Sequence, residues 1–288
     1  MPELPEVETI VNYLGDKIIN LKIKKFWTDA KKLIRHPDFN TFEKEIIGKK
    51  IKKVRRKAKY ILIDLSEEKT LLVHQKLTGH LLLGHWILEN SKPIPKEDKL
   101  KDKDNQYIHI LWWFDNGLMM GLSNLRKFAE VELWDTKKLE GLKKLKKLGP
   151  EPLTSEFTFS LFKKQLKGRK KNIKKCLLDQ EIVSGIGNIY SDEILWDAKI
   201  NPFRGIRDLK ERELKIIFKS IEKILKKAIE LKGESFSDYR MPDGGKGNYD
   251  KYRKVYKKEG EKCPRGGGII KRKKTGGRSA HYCPKCQK

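Results

Sequence analysis

An imino acid and two carboxylates stand together at the start of the chain, in the segment MPELPE. If the initiator methionine is removed, Pro2 presents a secondary amine whose pKa lies near the α-amino value of about 7.7–8.0. Part of that amine is uncharged at neutral pH, and its attack on a sugar carbon would give a covalent iminium intermediate. Glu3 is then placed to transfer protons, and Glu6 to hold charge or donors near a helix start. Taken alone, these residues fit better an ordinary terminus whose acids cap a helix.

Two further positions combine polar chemistry with a predicted backbone feature. Lys59 shares the alternation of Ile61 and Ile63, which directs it toward the apolar side of a strand, where an unpaired ammonium is costly. On the residues alone, a lysine that snorkels outward at a strand end fits equally well. Asn188 follows two glycines at a predicted helix start, where exposed N–H groups and the helix dipole suit a phosphate.

Three of the four cysteines, Cys263, Cys283 and Cys286, lie near the end of the sequence. This distribution indicates a metal site in a reducing compartment rather than a disulfide framework, so we expect a cytoplasmic protein. No apolar run approaches the roughly 20 residues of a membrane span. No basic segment precedes an apolar one at the N-terminus, so we expect no signal peptide.

Basic residues greatly exceed acidic ones in this chain of 288 residues. Lys and Arg number 66 against 39 Asp and Glu, which gives a formal net charge of +27. Such an excess makes the folded state repel itself unless a polyanion is bound, and nucleic acid is the usual partner. A lysine-rich composition with solvated helix faces would explain the charge alone, but here the basic residues are interleaved with Trp, Tyr and Phe.

The first half of the sequence predicts one helix followed by many short strands. Pro5 suits a first helical turn, and apolar residues recur at helical spacing up to Ile18. From about 22 to 134 the pattern is typical of strands, with runs at 60–65, 71–77 and 108–114, the last ending at the hairpin signal Asp115-Asn116-Gly117. Short strands at this spacing favour a β-sandwich, and 89–106 is expected to be an exposed loop.

The second half predicts helices and then a small hairpin. Gly149 to Pro152 marks the change, and the clearest apolar stripe runs from Leu209 to Leu231. We therefore predict an α+β protein, with an N-terminal β-sandwich domain and flanking helices, and a C-terminal helical domain that ends in a β-hairpin. The expected boundaries are 1–134 for the sandwich domain, 135–152 for a linker, 153–234 for the helical domain and 235–288 for a loop and the hairpin.

Five motifs in one order make this sequence resemble the formamidopyrimidine-DNA glycosylase family over nearly the whole chain. The opening MPELPEVE resembles the family's N-terminus, and RRKAKY resembles its segment bearing the strand lysine. LRKF resembles its DNA-wedge loop, and DQ followed by GIGNIY resembles its helix–two-turn–helix signature. GGRS followed by YCPKC resembles its terminal zinc hairpin. Five ordered motifs are far more specific than any one of them.

The resemblance implies a base-excision-repair DNA glycosylase and AP lyase that acts on damaged double-stranded DNA, and we expect it to be a monomer. Pro2 would be the Schiff-base nucleophile, Glu3 the proton donor and Glu6 a support for the site. Lys59, at the rim of the sandwich, would donate a proton or bind phosphate. The bond to an oxidised purine would be hydrolysed, and β- and δ-elimination would then release both phosphates.

A base inside a duplex is out of reach, so the resemblance also implies that the damaged nucleotide is flipped out and the gap is filled. Arg126 would bond the orphaned partner base, and Phe128 would wedge between stacked bases. The remaining residues expected to contact DNA are His74, Leu77, His109, Lys174, Asn188 and Arg278. For the two histidines, an ordinary satisfied surface histidine fits the sequence better when it is taken alone. Each basic residue, taken singly, also fits a solvated face.

The zinc site that the resemblance implies is incomplete. Cys263, Cys283 and Cys286 would supply three ligands to one structural Zn²⁺, but Gly266 stands where a fourth cysteine is expected. Structural zinc strongly prefers four ligands. Zinc with a water, recruitment of His281, and absence of zinc all stay open. Loss of zinc would weaken DNA binding through the hairpin and leave the chemistry at the N-terminus untouched.

The segment HQKLTG departs from the family in two places. Leu77 stands where the family often has a methionine that takes part in the wedge, and leucine is close in volume but stiffer. Lys76 stands where the family has a glycine. This lysine would either add a phosphate contact or close a conformation that the loop needs.

Three alternatives to an oxidised-purine glycosylase stay open. Glycosylases of the endonuclease VIII type, which act on oxidised pyrimidines, usually carry glycine where Leu4 stands and often lack a wedge arginine, so Leu4 and Arg126 favour the purine branch. A non-catalytic protein that binds damaged DNA would follow if Met1 were retained, or if the incomplete hairpin prevented productive docking. An RNA-binding protein would fit the charge alone. The segment 235–249, expected to cover the flipped base, does not indicate a preferred lesion.

Overall fold

The computed structural model describes residues 1–235 and 239–288, which form two compact units. The first unit comprises 1–146 and 231–250, and the second comprises 147–230 and 251–288. The segment expected to cover the flipped base belongs to the first unit, and not to the unit that contains the hairpin. Its residues 236–238 lie outside the described residues. None of the helices in the described part of the chain is both long and apolar enough to cross a membrane.

The described residues contain the following helices and strands. The helices are α1 (Leu4–Ile18), α2 (Phe39–Ile46), α3 (Lys143–Lys146), α4 (Phe159–Leu166), α5 (Ile173–Leu178), α6 (Asn188–Asp197), α7 (Glu211–Glu230) and α8 (Tyr249–Tyr252). The strands are β1 (Ile23–Thr28), β2 (Ile34–His36), β3 (Ile51–Lys57), β4 (Tyr60–Leu65), β5 (Lys69–His74), β6 (Gly79–Gly84), β7 (Trp86–Glu89), β8 (Lys92–Pro95), β9 (Ile108–Phe114), β10 (Met119–Asn124), β11 (Glu130–Asp135), β12 (Lys271–Thr275) and β13 (Arg278–Tyr282).

The first unit is a β-sandwich, as the strand spacing predicted. One sheet has the order β1-β9-β10-β6 and the other has the order β2-β11-β5-β4-β3. Alternate residues of both sheets meet in one apolar core, in which Trp112 and Ile63 are almost completely buried. Helix α1 adds Val7, Ile10 and Leu14 to the same core, because its apolar residues recur at helical spacing. Each such side chain contributes about 1.5–3 kcal/mol on burial.

The expected exposed loop at 89–106 is wrong in detail, because the chain forms a β-hairpin there. Strands β7 and β8 pair in antiparallel register and are joined by Asn90 and Ser91, both with positive φ, at 48° and 62°. Two such residues form the tight turn whose twist matches paired strands. The sequence pattern did not indicate β8 because this strand contains Pro93 and Pro95. Proline is tolerated only in edge strands and therefore argues against a strand.

The second unit is helical and carries the hairpin β12–β13, as predicted. The apolar stripe of α7 faces inward, so that Leu214, Ile217 and Ile221 are buried. The unit also holds a buried ion pair, in which Lys174 Nζ lies 2.5 Å from Asp192 Oδ1 and neither side chain is exposed. This pair joins α5 to α6, and Asp192 also accepts the backbone N–H of His281 at 2.9 Å. The charged pair therefore links two helices to the hairpin.

We expect Asp192→Asn to destabilise the second unit by about 3–5 kcal/mol, because the buried ammonium of Lys174 loses its counter-charge. Hydrogen exchange at the amides of α5 and α6 measures the change as lost protection. A matched control, Glu230→Gln, breaks the exposed pair of Lys227 with Glu230 and should cost less than about 0.5 kcal/mol. Equal protection in the two variants would show that the buried pair does not hold this unit together.

Candidate active site and nucleic-acid interface

The N-terminal residues are held inside the first unit. Pro2 is buried, and Glu3 is only 2% exposed. Helix α1 begins at Leu4 with a capping box, in which the Glu6 carboxylate accepts the backbone N–H of Glu3 at 2.7 Å. The other oxygen of Glu6 accepts the backbone N–H of Glu234 at 2.9 Å. Because both oxygens of one buried carboxylate are used, the chain around Pro2 has a fixed position.

A glycine makes this arrangement possible. Gly233 has a φ of +80°, a conformation that L side chains rarely adopt, and it lies against Glu6. A Cβ atom at this position would be 2.8 Å from Oε1 of Glu6 and 3.2 Å from the ring of Tyr239. Any side chain there would push the carboxylate away from the backbone that it holds.

Lys59 lies in the turn between β3 and β4, at one end of the five-stranded sheet. The prediction that it shares a strand face with Ile61 is therefore wrong, but the residue is only 7% exposed, as expected of an inward position. Arg56 fixes this turn: its guanidinium binds Glu8 of α1 at 2.5 Å and donates to the carbonyl of Ala58 at 3.1 Å. The turn bearing Lys59 is thus attached to the first helix.

His74 lies at the same end of the sheet, opposite Tyr60 on one side and Glu130 on the other. Its ring meets Tyr60 edge-on at 4.5 Å, and its Nδ1 accepts the backbone N–H of Lys76 at 3.0 Å. Withdrawal from water lowers the pKa of His74 to about 3, and the charges of Lys76 and Lys59 act in the same direction. The ring is therefore neutral at physiological pH and acts as an acceptor toward its own loop.

The expected wedge residues are brought together by one hydroxyl. Oγ1 of Thr78 accepts the backbone N–H of Arg126 at 3.2 Å and the side-chain amide of Asn124 at 3.0 Å. These bonds join the loop that follows β10 to the loop that carries Leu77. Phe128 is 53% exposed although it is a large apolar residue, and Arg126 is exposed beside it. The loop thus presents an aromatic ring and a guanidinium to the outside.

Lys76 is held by an ion pair. It adopts a φ of +54°, a conformation that L side chains rarely adopt, and its ammonium lies 3.0 Å from the carboxylate of Glu130. Both roles that the sequence left open for Lys76 stay predictions. Strand β5 ends at His74, before the end of the predicted run at 71–77.

His109 does not project from the surface. Its Nδ1 lies 2.8 Å from Asp29, and the residue is only 8% exposed. Burial lowers the pKa of His109, and Asp29 partly opposes that shift. Asp29 also pairs with Lys127 of the wedge loop at 3.9 Å. His109 is therefore nearly buried and linked through Asp29 to the wedge loop, a position suited to supporting that loop, while its contact with DNA stays a prediction.

In the second unit, Asn188 opens helix α6 as predicted. Gln180 fixes the preceding turn, since its side chain accepts the N–H of Gly185 at 2.9 Å and donates to the carbonyl of Ile186 at 2.8 Å. Oδ1 of Asn188 is buried without a hydrogen-bond partner among the described residues. Lys174 lies close to Asn188, with its Nζ 3.5 Å from that residue's carbonyl, but its side chain has no exposed surface. The expected surface contact of Lys174 is therefore not what the structure shows.

Arg278 is exposed at the tip of the hairpin β12–β13. The tip is held in place within the second unit, because the amide of Asn172 donates to Thr275 Oγ1 at 2.8 Å. Lys175 of α5 packs against Gly276 in the turn. The hairpin thus presents a guanidinium close to the start of α5.

The three C-terminal cysteines form a cluster. The sulfurs of Cys263, Cys283 and Cys286 all lie within 4.8 Å of one another, and those of Cys263 and Cys286 are 3.7 Å apart. Zn–S bonds of about 2.3 Å at tetrahedral angles put sulfurs roughly 3.8 Å apart, so these three fit one zinc ion. His281 is not part of the cluster, because its Nδ1 is 2.9 Å from Asp192 and its Nε2 is 3.5 Å from Glu259.

Several residues that organise the site were missed by sequence reasoning. They are short polar side chains or single acids whose partners lie far along the chain, and they carry no local pattern: Asp29, Thr78, Asn124, Glu130, Asp192 and Glu234. The only available signal was position, since Thr78 and Asn124 each stand beside a motif that the sequence did single out.

Three family models match the chain. They describe a formamidopyrimidine-DNA glycosylase N-terminal domain at residues 1–131, a formamidopyrimidine-DNA glycosylase H2TH domain at 148–240, and a zinc finger found in FPG and IleRS at 260–288. The formamidopyrimidine-DNA glycosylase of Pelotomaculum thermopropionicum is 41% identical over 288 residues, which cover 100% of this chain and 99% of the relative. That of Carboxydothermus hydrogenoformans is 39% identical over 289 residues, with 100% of each chain covered.

Solved structures give the same result. The Lactococcus lactis Fpg in complex with DNA that contains an abasic site has a TM-score of 0.88 and 34% identity, with 99% of each chain covered. The same Fpg in complex with DNA that contains Fapy-dG has a TM-score of 0.87 and 34% identity, with 99% of this chain and 100% of that chain covered.

We expect the imidazole of His74 to remain neutral at and above about pH 5, because its pKa in the folded state is lowered to about 3. In the unfolded chain a histidine binds a proton near pH 6.5. Its contribution to stability is thus complete above about pH 6.5 and falls as the pH drops toward 3. Side-chain ¹H–¹⁵N NMR, assigned with a His74→Asn variant, tests this directly. A titration of His74 near pH 6.5 would refute the described environment.

Proposed function

The chain belongs to the formamidopyrimidine-DNA glycosylase family, and from this we propose that it removes oxidised purines from damaged duplex DNA and then cleaves the strand. The substrates would be 8-oxoguanine and formamidopyrimidines in base-excision repair. The observation that carries the proposal is the position of Pro2, which Glu6 holds at the buried start of α1 beside Glu3.

The proposed nucleophile is the nitrogen of Pro2 after removal of Met1. An α-amino group ordinarily has a pKa of about 7.7–8.0, which leaves part of it uncharged at physiological pH. The nitrogen attacks C1′ of the flipped nucleotide as the bond from C1′ to the damaged base breaks. Glu3 supplies a proton in this step, and the sugar ring then opens as O4′ takes up the electron pair of its bond to C1′ together with a proton. The product is an iminium ion between Pro2 and C1′.

The iminium ion accounts for strand cleavage. It draws electrons from C2′, so that loss of a C2′ proton expels the phosphate on the 3′ side. A second elimination expels the phosphate on the 5′ side, and water finally releases Pro2. Lys59 is the proposed donor or phosphate-binding group in these steps. Support for this role comes from its turn, which Arg56 attaches to α1.

The exposed loop at the end of β10 is the proposed wedge. Flipping a nucleotide costs a few kcal/mol, and side chains that fill the gap recover part of this cost. Phe128 is exposed and is suited to insertion between bases, while the guanidinium of Arg126 can bond the orphaned base. Leu77 would complete the wedge from the neighbouring loop. The hydrogen bond from Arg126 to Thr78 joins that loop to the loop after β10.

In the second unit, the proposed contacts are with the phosphate backbone. The N-terminal N–H groups of α6 and the side chain of Asn188 suit a phosphate, and Arg278 adds a cation at the hairpin tip. Lys174 is better assigned to holding the start of α6, since it is buried against Asp192. Cys263, Cys283 and Cys286 would hold a structural Zn²⁺, which when bound ties the hairpin to its preceding turn.

We expect sodium borohydride to trap the protein covalently on duplex DNA with 8-oxoguanine opposite cytosine, because the reduced iminium cannot be hydrolysed. Pro2→Gly should abolish trapping, since the secondary amine is lost. Lys59→Ala should slow strand cleavage, whereas Lys57→Ala, at an exposed lysine in the preceding strand, should not. Denaturing gel electrophoresis measures both products.

The same experiment separates the alternatives. Duplexes that carry an oxidised pyrimidine should be trapped less efficiently than those with 8-oxoguanine. The reverse order would favour an enzyme of the endonuclease VIII type. Tight binding of the lesion without any cross-link would contradict the proposed chemistry. It would indicate a non-catalytic protein that recognises damage.

A further inference from the structure

Two turns of the C-terminal region share one backbone hydrogen bond, from the fourth residue after a cysteine to the carbonyl of that cysteine, but they carry different ligands. In the turn from Cys283, the N–H of Gln287 donates to the carbonyl of Cys283 at 3.0 Å. In the turn from Cys263, the N–H of Gly267 donates to the carbonyl of Cys263 at 3.2 Å. The third residue after the first cysteine is Cys286 in one turn and a glycine in the other. The backbone therefore forms a second ligand-bearing turn, although the ligand itself is missing.

The missing ligand leaves space. A Cβ atom placed on Gly266 meets no other atom within 4 Å, and its φ lies outside the range that L side chains avoid. By contrast, a Cβ atom on Gly268 would lie 2.8 Å from Sγ of Cys283. Gly266 is itself exposed, so a side chain there would border solvent, whereas a side chain on Gly268 would meet the sulfur of Cys283.

Among the described residues, no further His, Cys, Asp or Glu joins the three sulfurs as a fourth ligand. The cluster of possible metal ligands contains three cysteines, and His281 is held by Asp192 and Glu259. The indole N–H of Trp196 donates to Sγ of Cys263 at 3.3 Å, so that this sulfur has a hydrogen-bond donor on its protein side. Such a bond orients a ligand but supplies none.

Hydrogen bonds outside the cluster fix both turns that carry the sulfurs. The buried carboxylate of Glu193 accepts the backbone N–H groups of 254–256 at 2.9–3.0 Å, which fixes the segment before the first turn. Gln287 accepts the N–H of Cys283 at 2.8 Å and donates to the carbonyl of Ile200 at 2.9 Å, which fixes the second turn. These bonds hold in place the two turns that carry the three thiols.

We propose that this chain binds zinc at an open three-thiolate centre, whose fourth position beside Gly266 takes a small donor from solution. Zinc completes four-coordination with water when the protein supplies three ligands. A thiolate is the preferred occupant, because soft sulfur donors suit this metal. Three thiolates leave the centre with one net negative charge, which the guanidinium of Arg265, stacked 3.8 Å from the ring of Trp196, partly offsets, since that indole bonds Cys263.

Cobalt(II) in place of zinc makes the fourth ligand visible. In a buffer with a phosphine reductant and no thiol, the purified protein should bind one equivalent of cobalt. Titration with 2-mercaptoethanol should then strengthen the thiolate-to-cobalt charge-transfer band and shift the visible bands, as a fourth sulfur replaces water. This spectroscopic readout does not depend on glycosylase activity. It therefore tests the metal centre independently of the proposed function.

Two variants of the same glycine complete the test. Gly266→Cys should remove the response to added thiol and tighten zinc binding, measured by competition with a chromophoric chelator. We expect at least about a tenfold gain, the lower end of what even a hydrogen-bonded partner of a metal ligand contributes. Gly266→Ala fills the same space without a donor and should behave like the wild-type chain.

Two results would overturn the proposal. If added thiol does not change the cobalt spectrum of the wild-type chain, and this spectrum matches that of Gly266→Cys, a protein group already occupies the fourth position. Failure of the wild-type chain to bind cobalt or zinc stoichiometrically would mean that three thiols do not form a metal centre here.

Discussion

The buried carboxylate of Glu6 is the interaction on which the catalytic part of this protein depends. One of its oxygens holds the backbone of Glu3, and the other holds Glu234, far along the chain. A carboxylate withdrawn from water is tolerated only when such donors satisfy it. The donors here are main-chain N–H groups, so the carboxylate fixes the backbone itself. The start of the chain, which would otherwise fray, becomes a rigid site beside a potential nucleophile.

Much of this fold could be predicted because its signals are local. Helical spacing located α1 and the stripe of α7, and alternation located the strands of the sandwich. The order of the motifs then indicated that Pro2, Lys59 and Asn188 belong to a DNA glycosylase site. Local patterns did not reveal that Lys59 lies in a turn, because a turn residue next to a strand continues the strand's alternation by chance. Local patterns also did not reveal the hairpin β7–β8, because the prolines in β8 argue against a strand.

The partners of the site residues could not be predicted, because they depend on long-range contacts. Lys174 and His109 carry the residue types of DNA contacts, yet each is paired with an acid inside its own unit. Asp192 and Asp29 gave no sequence signal, since a single acid in a charged chain is common. Conversely, the absence of a cysteine at Gly266 was visible in the sequence, but only the structure shows that its turn is formed and its space is open.

The account rests on a free imino nitrogen at Pro2, and intact-mass spectrometry of the purified protein tests this most directly. We expect a mass lower than that of the full sequence by one methionine residue, with Pro2 as the first residue. A protein that retains Met1 would have an amide in place of the amine. That amide could not form an iminium ion, and the proposed chemistry would be contradicted whatever the affinity for DNA.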